Sequence, residues 1–239
     1  MKLINLPDEA HQLRLTHGFF EDFDHFVDGD RWTMVDADSG ASVAEDADGV
    51  GGVVLLTTGA TDNNEAVLAT SNELFKFASD KPLVAEARVQ YAESNTDDAN
   101  VLFGVMDAIG ANSLQDGGAG PKASYSGAVF FKADGDTVWS VESSLAGAQT
   151  TTQLTATNSL DGAAKTAGGS SYQTLRIEVQ PLAGSVADIM FYIDEILVAK
   201  HKGVSITSAT EMMVGVAAKA GSANSEVVSV DYISAYQKR

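Results

Sequence analysis

The chain has 239 residues, no cysteine, and 33 acidic against 15 basic side chains, a formal net charge of −18. Without cysteine there is no disulfide framework, thiolate zinc site or cysteine nucleophile. No stretch approaches the ~20 apolar residues of a membrane helix, and the acidity argues against nucleic-acid binding, which needs a basic footprint. A chain of this length buries about 70–75% of its unfolded surface, so its core needs neither disulfide nor metal. The charge is uneven: residues 1–120 hold 22 acids and 6 bases, residues 121–239 hold 11 and 9. The plain reading is solubility; the sharper one is that the near-neutral half faces a partner.

The N-terminus reaches Pro7, Asp8 and Glu9 before an apolar run can form, so no signal peptide is expected. Pro7 with two acids behind it can open one short helix, and residues 1–18 read as an arm. From residue 19 onward, short apolar runs alternate with turn clusters, the pattern of an all-β domain. Strands are expected at 19–26, with aromatics at Phe19, Phe23 and Phe26, then at 31–35 and 53–58. Residues 82–91 alternate strictly: Leu83, Ala85, Ala87, Val89 and Tyr91 on one face, Val84, Glu86, Arg88 and Gln90 on the other. That period of two marks a half-buried strand.

Further strands are expected at 101–107, 128–132 and 137–142, the last after the Asp134-Gly135-Asp136 turn, with a short one at 150–155 inside the long loop region 143–171. Residues 172–202 form a hairpin in whose first strand Leu175, Ile177 and Val179 alternate with Thr174, Arg176 and Glu178; its turn is Asp194-Glu195, without the glycine such turns prefer. Strands at 212–219 and 227–236 finish the chain. In the last, Val228, Val230, Tyr232 and Ser234 are expected to oppose Val227, Ser229, Asp231, Ile233 and Ala235. About a dozen short strands and no linker predict one sandwich of two antiparallel sheets, residues 19–239.

Four pieces resemble concanavalin A-like (laminin-G-like) jelly-roll domains: the opening F-x-x-D-F, V-A-E-A-R-V-Q (84–90), the late hairpin L-R-I-E-V-Q…F-Y-I-D-E-I-L-V-A, and V-S-V-D-Y-I-S (228–234). That family usually writes the hairpin turn Asp-Gly, where this chain has Asp194-Glu195. More narrowly, several segments are similar to a group of tailed-bacteriophage virion proteins. They are D-R-W-T (30–33), T-T-G-A-T-D-N-N-E (57–65), N-E-L-F-K-F-A (72–78), N-T-D-D-A-N-V-L-F-G-V-M-D-A (95–108), Y-S-G-A-V-F-F-K (125–132) and Y-Q-T-L-R-I-E-V (172–179). The resemblance implies a particle protein on the capsid surface, made in the bacterial host cytoplasm: a decoration or cement protein that binds the major capsid protein. Shell faces recur around symmetry axes, so a homo-oligomer, dimer or trimer, is expected. The alternative is a carbohydrate-binding module.

Retaining glycosidases of this fold place three carboxylates at i, i+2 and i+4 of one strand, so that all share a face. Asp22 and Asp24 are followed on their face by Phe26, Asp36 and Asp38 by Gly40, and Glu86 by Arg88. No strand supplies the trio, and no enzymatic activity is expected. His11, His17, His25 and His201 lack a nucleophile elbow and read as surface groups. Residues 28–30, 59–65, 95–100 and 134–136 offer oxygen ligands suited to Ca²⁺ but lack EF-hand spacing; they read as turns, with no metal or cofactor site assigned. Trp32 and Trp139 fall in apolar strands and are expected in the core, which leaves Tyr125 as the one aromatic expected at the surface for a sugar. The loop 117–122, G-G-A-G-P-K, lacks the phosphate-loop arrangement and reads as flexible.

Overall fold

The computed structural model describes residues 15–94, 97–206 and 210–239; most of the expected arm, its helix included, lies outside them. Fifteen strands follow in chain order: β1 (Thr16–Glu21), β2 (Trp32–Val35), β3 (Ala41–Glu45), β4 (Val54–Thr58), β5 (Glu65–Thr70), β6 (Leu83–Ala92), β7 (Ala99–Met106), β8 (Gly127–Lys132), β9 (Ser140–Leu145), β10 (Ala148–Gln153), β11 (Gln173–Leu182), β12 (Val186–Ile193), β13 (Ile196–Ser205), β14 (Met213–Ala220) and β15 (Val227–Lys238). They make two antiparallel sheets. Sheet A runs β13-β12-β11-β6-β15-β4-β3, with β1 also on β15; sheet B runs β10-β9-β8-β7-β14-β5-β2.

The alternation in β6 holds: Leu83, Ala85, Ala87, Val89 and Tyr91 are buried in the core between the sheets. Trp32 and Trp139 are also in that core. The Trp139 ring stands edge-on to Tyr91 and Phe130, and Phe130 meets Phe191 the same way, the geometry aromatic quadrupoles prefer.

Several expectations need correction. The first strand ends at Glu21. Phe23 takes a positive φ of 55°, which turns the chain and drops its ring into the core beside Trp32. The strand expected at 137–142 begins at Ser140 instead, and Val138 makes only an isolated bridge to Thr166. The arm boundary also moves: Thr16–Gly18 already pair with β15. Strands β3 and β5 were not expected at all.

In β15 the register against β6 shifts between Val230 and Tyr232. This bulge adds one residue and exchanges the faces beyond it. Ile233 and Ala235 therefore continue the inner face of Val228 and Val230, while Tyr232 turns outward to Phe20.

The Asp194-Glu195 turn forms as expected, with both residues at positive φ, 49° and 66°. Thr174 compensates for the missing glycine: its N–H donates to Asp194 Oδ1 at 2.9 Å, and its carbonyl accepts from Asp194 N at 2.9 Å. Arg176 holds the largely exposed Glu195 carboxylate at 2.6 Å. Glu195→Gly is expected to raise the unfolding free energy by about 0.5–1 kcal/mol, because backbone strain outweighs an exposed ion pair. Urea denaturation of the two proteins checks it.

Candidate binding surfaces

The outer face of sheet B is a second hydrophobic core. Leu102 and Met106 of β7, Val129 and Phe131 of β8 and Ala217 of β14 are covered by Ile109, Leu114 and Tyr125. The segment 107–126, expected to include a flexible loop, folds back on this face through a 3-10 turn at Asp116–Gly118 and a bridge between Leu114 and Pro121.

Tyr125, expected at the surface, is 1% exposed. Its hydroxyl donates to Glu142 Oε1 at 2.9 Å, and Thr151 donates to the other oxygen of that carboxylate. Burial, then the Glu142 charge, pushes the Tyr125 hydroxyl well above the usual phenol range. Glu142 is thus held by two hydroxyl donors on a covered face.

Two of the suspected calcium loops, 59–65 and 95–100, meet buried lysines. Lys219 of β14 is 1% exposed, with its ammonium 2.8 Å from Asp116, 3.2 Å from Asn112 Oδ1 and 3.5 Å from Glu65. Lys132 of β8 is fully buried; its ammonium lies 2.8 Å from Glu93 and donates to the Asp97 carbonyl at 2.5 Å. In 95–100, Asn100 Oδ1 accepts from Asp134 N, and Asp98 accepts from Ser222 Oγ. The Asp28 turn closes with Gly29 N donating to Trp32 O and the Asp134 turn with Asp136 N donating to Ala133 O, while Gly135 N donates to Asp97 O. Lys132 and Lys219 were not singled out from the sequence, because a strand-end lysine usually snorkels to solvent.

Among the described residues, one trio of carboxylates brings ligand atoms within 4.8 Å of one another: Glu21, Asp22 and Asp24. Glu21 already accepts from Arg31 at 3.2 Å and Trp32 Nε1 at 3.3 Å. Asp36 is exposed, and Asp38 Oδ2 accepts from Glu65 N at 2.8 Å.

The histidines separate. His25 is exposed, His11 lies outside the described residues, and His17 stacks on Phe75 and bonds the Leu74 carbonyl at 2.9 Å. His201 of β13 is only 6% exposed, which corrects its reading as a surface group. It sits between the sheets, Nδ1 at 2.8 Å from Ser143 Oγ, Nε2 at 3.1 Å from Thr152 Oγ1, and its ring against Phe191. Burial pushes it down to about 4. Ser143 and His201 are spaced like a nucleophile and its base, but the second ring nitrogen meets a hydroxyl, not the carboxylate of a triad. So neutral an imidazole is a weak base at pH 7.

Among the described residues, none covers the outer face of sheet A. Along matched registers it reads Lys200–Met190–Glu178–Val84–Tyr236–Gly18, and beside that Leu197–Tyr192–Arg176–Glu86–Ser234–Phe20. Arg176 bonds Glu86, Glu178 and Glu195 and lies over the Tyr192 ring. Arg88 pairs with Asp231 over the Tyr172 ring, and Lys200 with Asp188 at 2.6 Å. The sequence pattern placed the β6 and β11 residues of this face correctly.

This two-sheet architecture defines a concanavalin A-like jelly-roll sandwich. The sequence matches no family profile and no curated protein. The carbohydrate recognition domain of Emp47p shares the fold at 14% identity and a TM-score of 0.60, over 93% of this chain and 95% of that one. An endo-1,3-beta-glucanase from Streptomyces sioyaensis matches at 13% identity and 0.57, over 94% and 97%. A protein of unknown function from Shewanella oneidensis MR-1 matches at 13% and 0.59, over 100% and 96%. At these identities the likeness concerns the fold, and function rests on the site.

Proposed function

We propose that the chain is a non-enzymatic structural protein of a tailed-phage particle, a decoration protein that binds the major capsid protein at the head surface. The observation that carries the non-enzymatic part is the sealed outer face of sheet B. On that face Leu102, Met106 and Phe131 lie under Tyr125 and Leu114, so it presents packed apolar side chains and not an open carboxylate floor. The particle assignment rests on the sequence segments similar to phage virion proteins. A stiff closed sandwich with internal lysine cations needs no cofactor to present its flat faces to a shell.

Mass spectrometry of purified virions is expected to find the protein in hundreds of copies per particle; a handful would move it to the tail, and none would end the assignment. Deleting residues 1–14 is expected to reduce occupancy on heads while the sandwich keeps its melting temperature; undiminished occupancy would remove the arm from the contact. A second reading, carbohydrate binding, is favoured by the fold shared with the Emp47p recognition domain. Selective glycan-array binding by the isolated chain at micromolar affinity would prefer it.

A further inference from the structure

A chain of charge −18 resists meeting its own copy wherever that charge is displayed. The outer face of sheet A does not display it. Its cations Arg88, Arg176 and Lys200 are all ion-paired, and they stand against the strand carboxylates Glu86, Glu178, Asp188 and Asp231. The face is therefore close to neutral. A strongly cationic partner would be drawn instead to residues 21–48, where ten acids accompany one base.

The face also exposes a contiguous apolar corner. Val84, Tyr236 and Phe20 are 36%, 45% and 54% exposed on three neighbouring strands. Val84 opposes Tyr236, and Tyr236 opposes Gly18. A Cβ at Gly18 would lie 2.8 Å from Tyr236 Cδ1, so the tyrosine ring lies against bare β1 backbone and is held in place. Phe20 packs on Tyr232 with ring centroids 5.2 Å apart. These are braced aromatic groups of the kind that anchor interfaces.

We infer that this face packs on the same face of a second copy, in a two-fold dimer centred on Phe20, Val84 and Tyr236. Balanced, self-paired charge fits an isologous contact, in which one surface must suit itself. The area suffices: six strands about 4.8 Å apart and about eight residues long at ~3.3 Å each present roughly 700 Å², near the ~800 Å² per partner of a standard interface. The inference stands without the virion assignment.

Sedimentation velocity of the full chain tests it. Wild type is expected at twice the 25.0 kDa chain mass. The dimer is expected to tighten as salt screens the long-range repulsion, the Debye length falling to about 8 Å at 0.15 M. Phe20→Glu with Tyr236→Glu is expected to weaken dimerisation roughly thirtyfold or more with an unchanged melting curve; Phe20→Ser alone serves if the double variant folds poorly. Because the chain has no cysteine, Val84→Cys is expected to yield a cross-linked dimer on oxidation, and Val50→Cys, at a 96% exposed position in the acidic 46–53 turn, to form no cross-link.

A wild type monomeric at every salt concentration would overturn the inference, as would a dimer indifferent to Phe20 and Tyr236, or equal cross-linking at Val50. A monomer whose head binding is lost in the double variant would give this face to the shell protein instead, and the dimer would again be wrong.

Discussion

Lys132→Met is expected to lower the unfolding free energy by about 3–5 kcal/mol, a fall in Tm of roughly 10 °C, whereas EDTA leaves the wild-type Tm in place. Methionine matches the length of the lysine stem, so packing is nearly conserved and the loss is electrostatic. The ammonium is fully buried, 2.8 Å from Glu93. Glu93 and Glu226 both act on the buried Tyr91 hydroxyl, and the Glu226 carboxyl is already raised, by burial first and then by the Glu93 charge, despite the Ser94 N–H and Lys132. Removing the cation leaves these oxygens facing one another.

The double variant Lys132→Met, Glu93→Gln is expected to recover part of the loss, since a missing pair costs less than an orphaned charge. Urea melts of the four proteins of this cycle, with and without EDTA, give the coupling. A wild-type Tm that falls substantially with EDTA would mean that a metal ion, and not the lysine, balances this loop.

What the sequence disclosed follows from how each strand is buried. β6 and β11 have one face in the core and one in solvent, so their period of two was plain. β5 is buried on both faces, Ala66 and Leu68 toward sheet A, Val67 and Ala69 under the 107–126 segment. Its run E-A-V-L-A-T therefore carries no alternation to detect. The same folded-back segment explains Tyr125: Gly-rich flanks signal a loop, but nothing local says that the loop is seated on a sheet. The β15 bulge is invisible to a pattern argument that assumes an unbroken period. The buried lysines had one legible trace. Each meets an acid-rich loop considered for calcium, Lys219 at Glu65 and Lys132 at the Asp97 carbonyl.

His201 makes the sandwich acid-sensitive in a defined window. Its pKa falls from 6.5 in the unfolded chain to about 4 in the fold, so between those values the unfolded state binds the extra proton and stability drops as pH falls. Above about pH 6.5 the contribution is constant; below about pH 4 the loss is complete, at about 3 kcal/mol. The groups around the ring are Ser143, Thr152 and Phe191, none of which offers a negative charge to an imidazolium. Lys200 and Lys202 flank it on β13, the former occupied by Asp188.

His201→Gln keeps a polar side chain between the two hydroxyls and removes the titration. The stability difference between wild type and this variant is expected to shift against wild type by about 2–3 kcal/mol from pH 7 to pH 4.5, while the carboxylates common to both cancel. Urea denaturation across that range measures it, and the His201 ring proton signals in an NMR titration report the pKa directly. A midpoint near the 6.5 of a solvated histidine, or a difference that stays flat with pH, would show that the imidazole is not sealed between the sheets as the Ser143 and Thr152 bonds require.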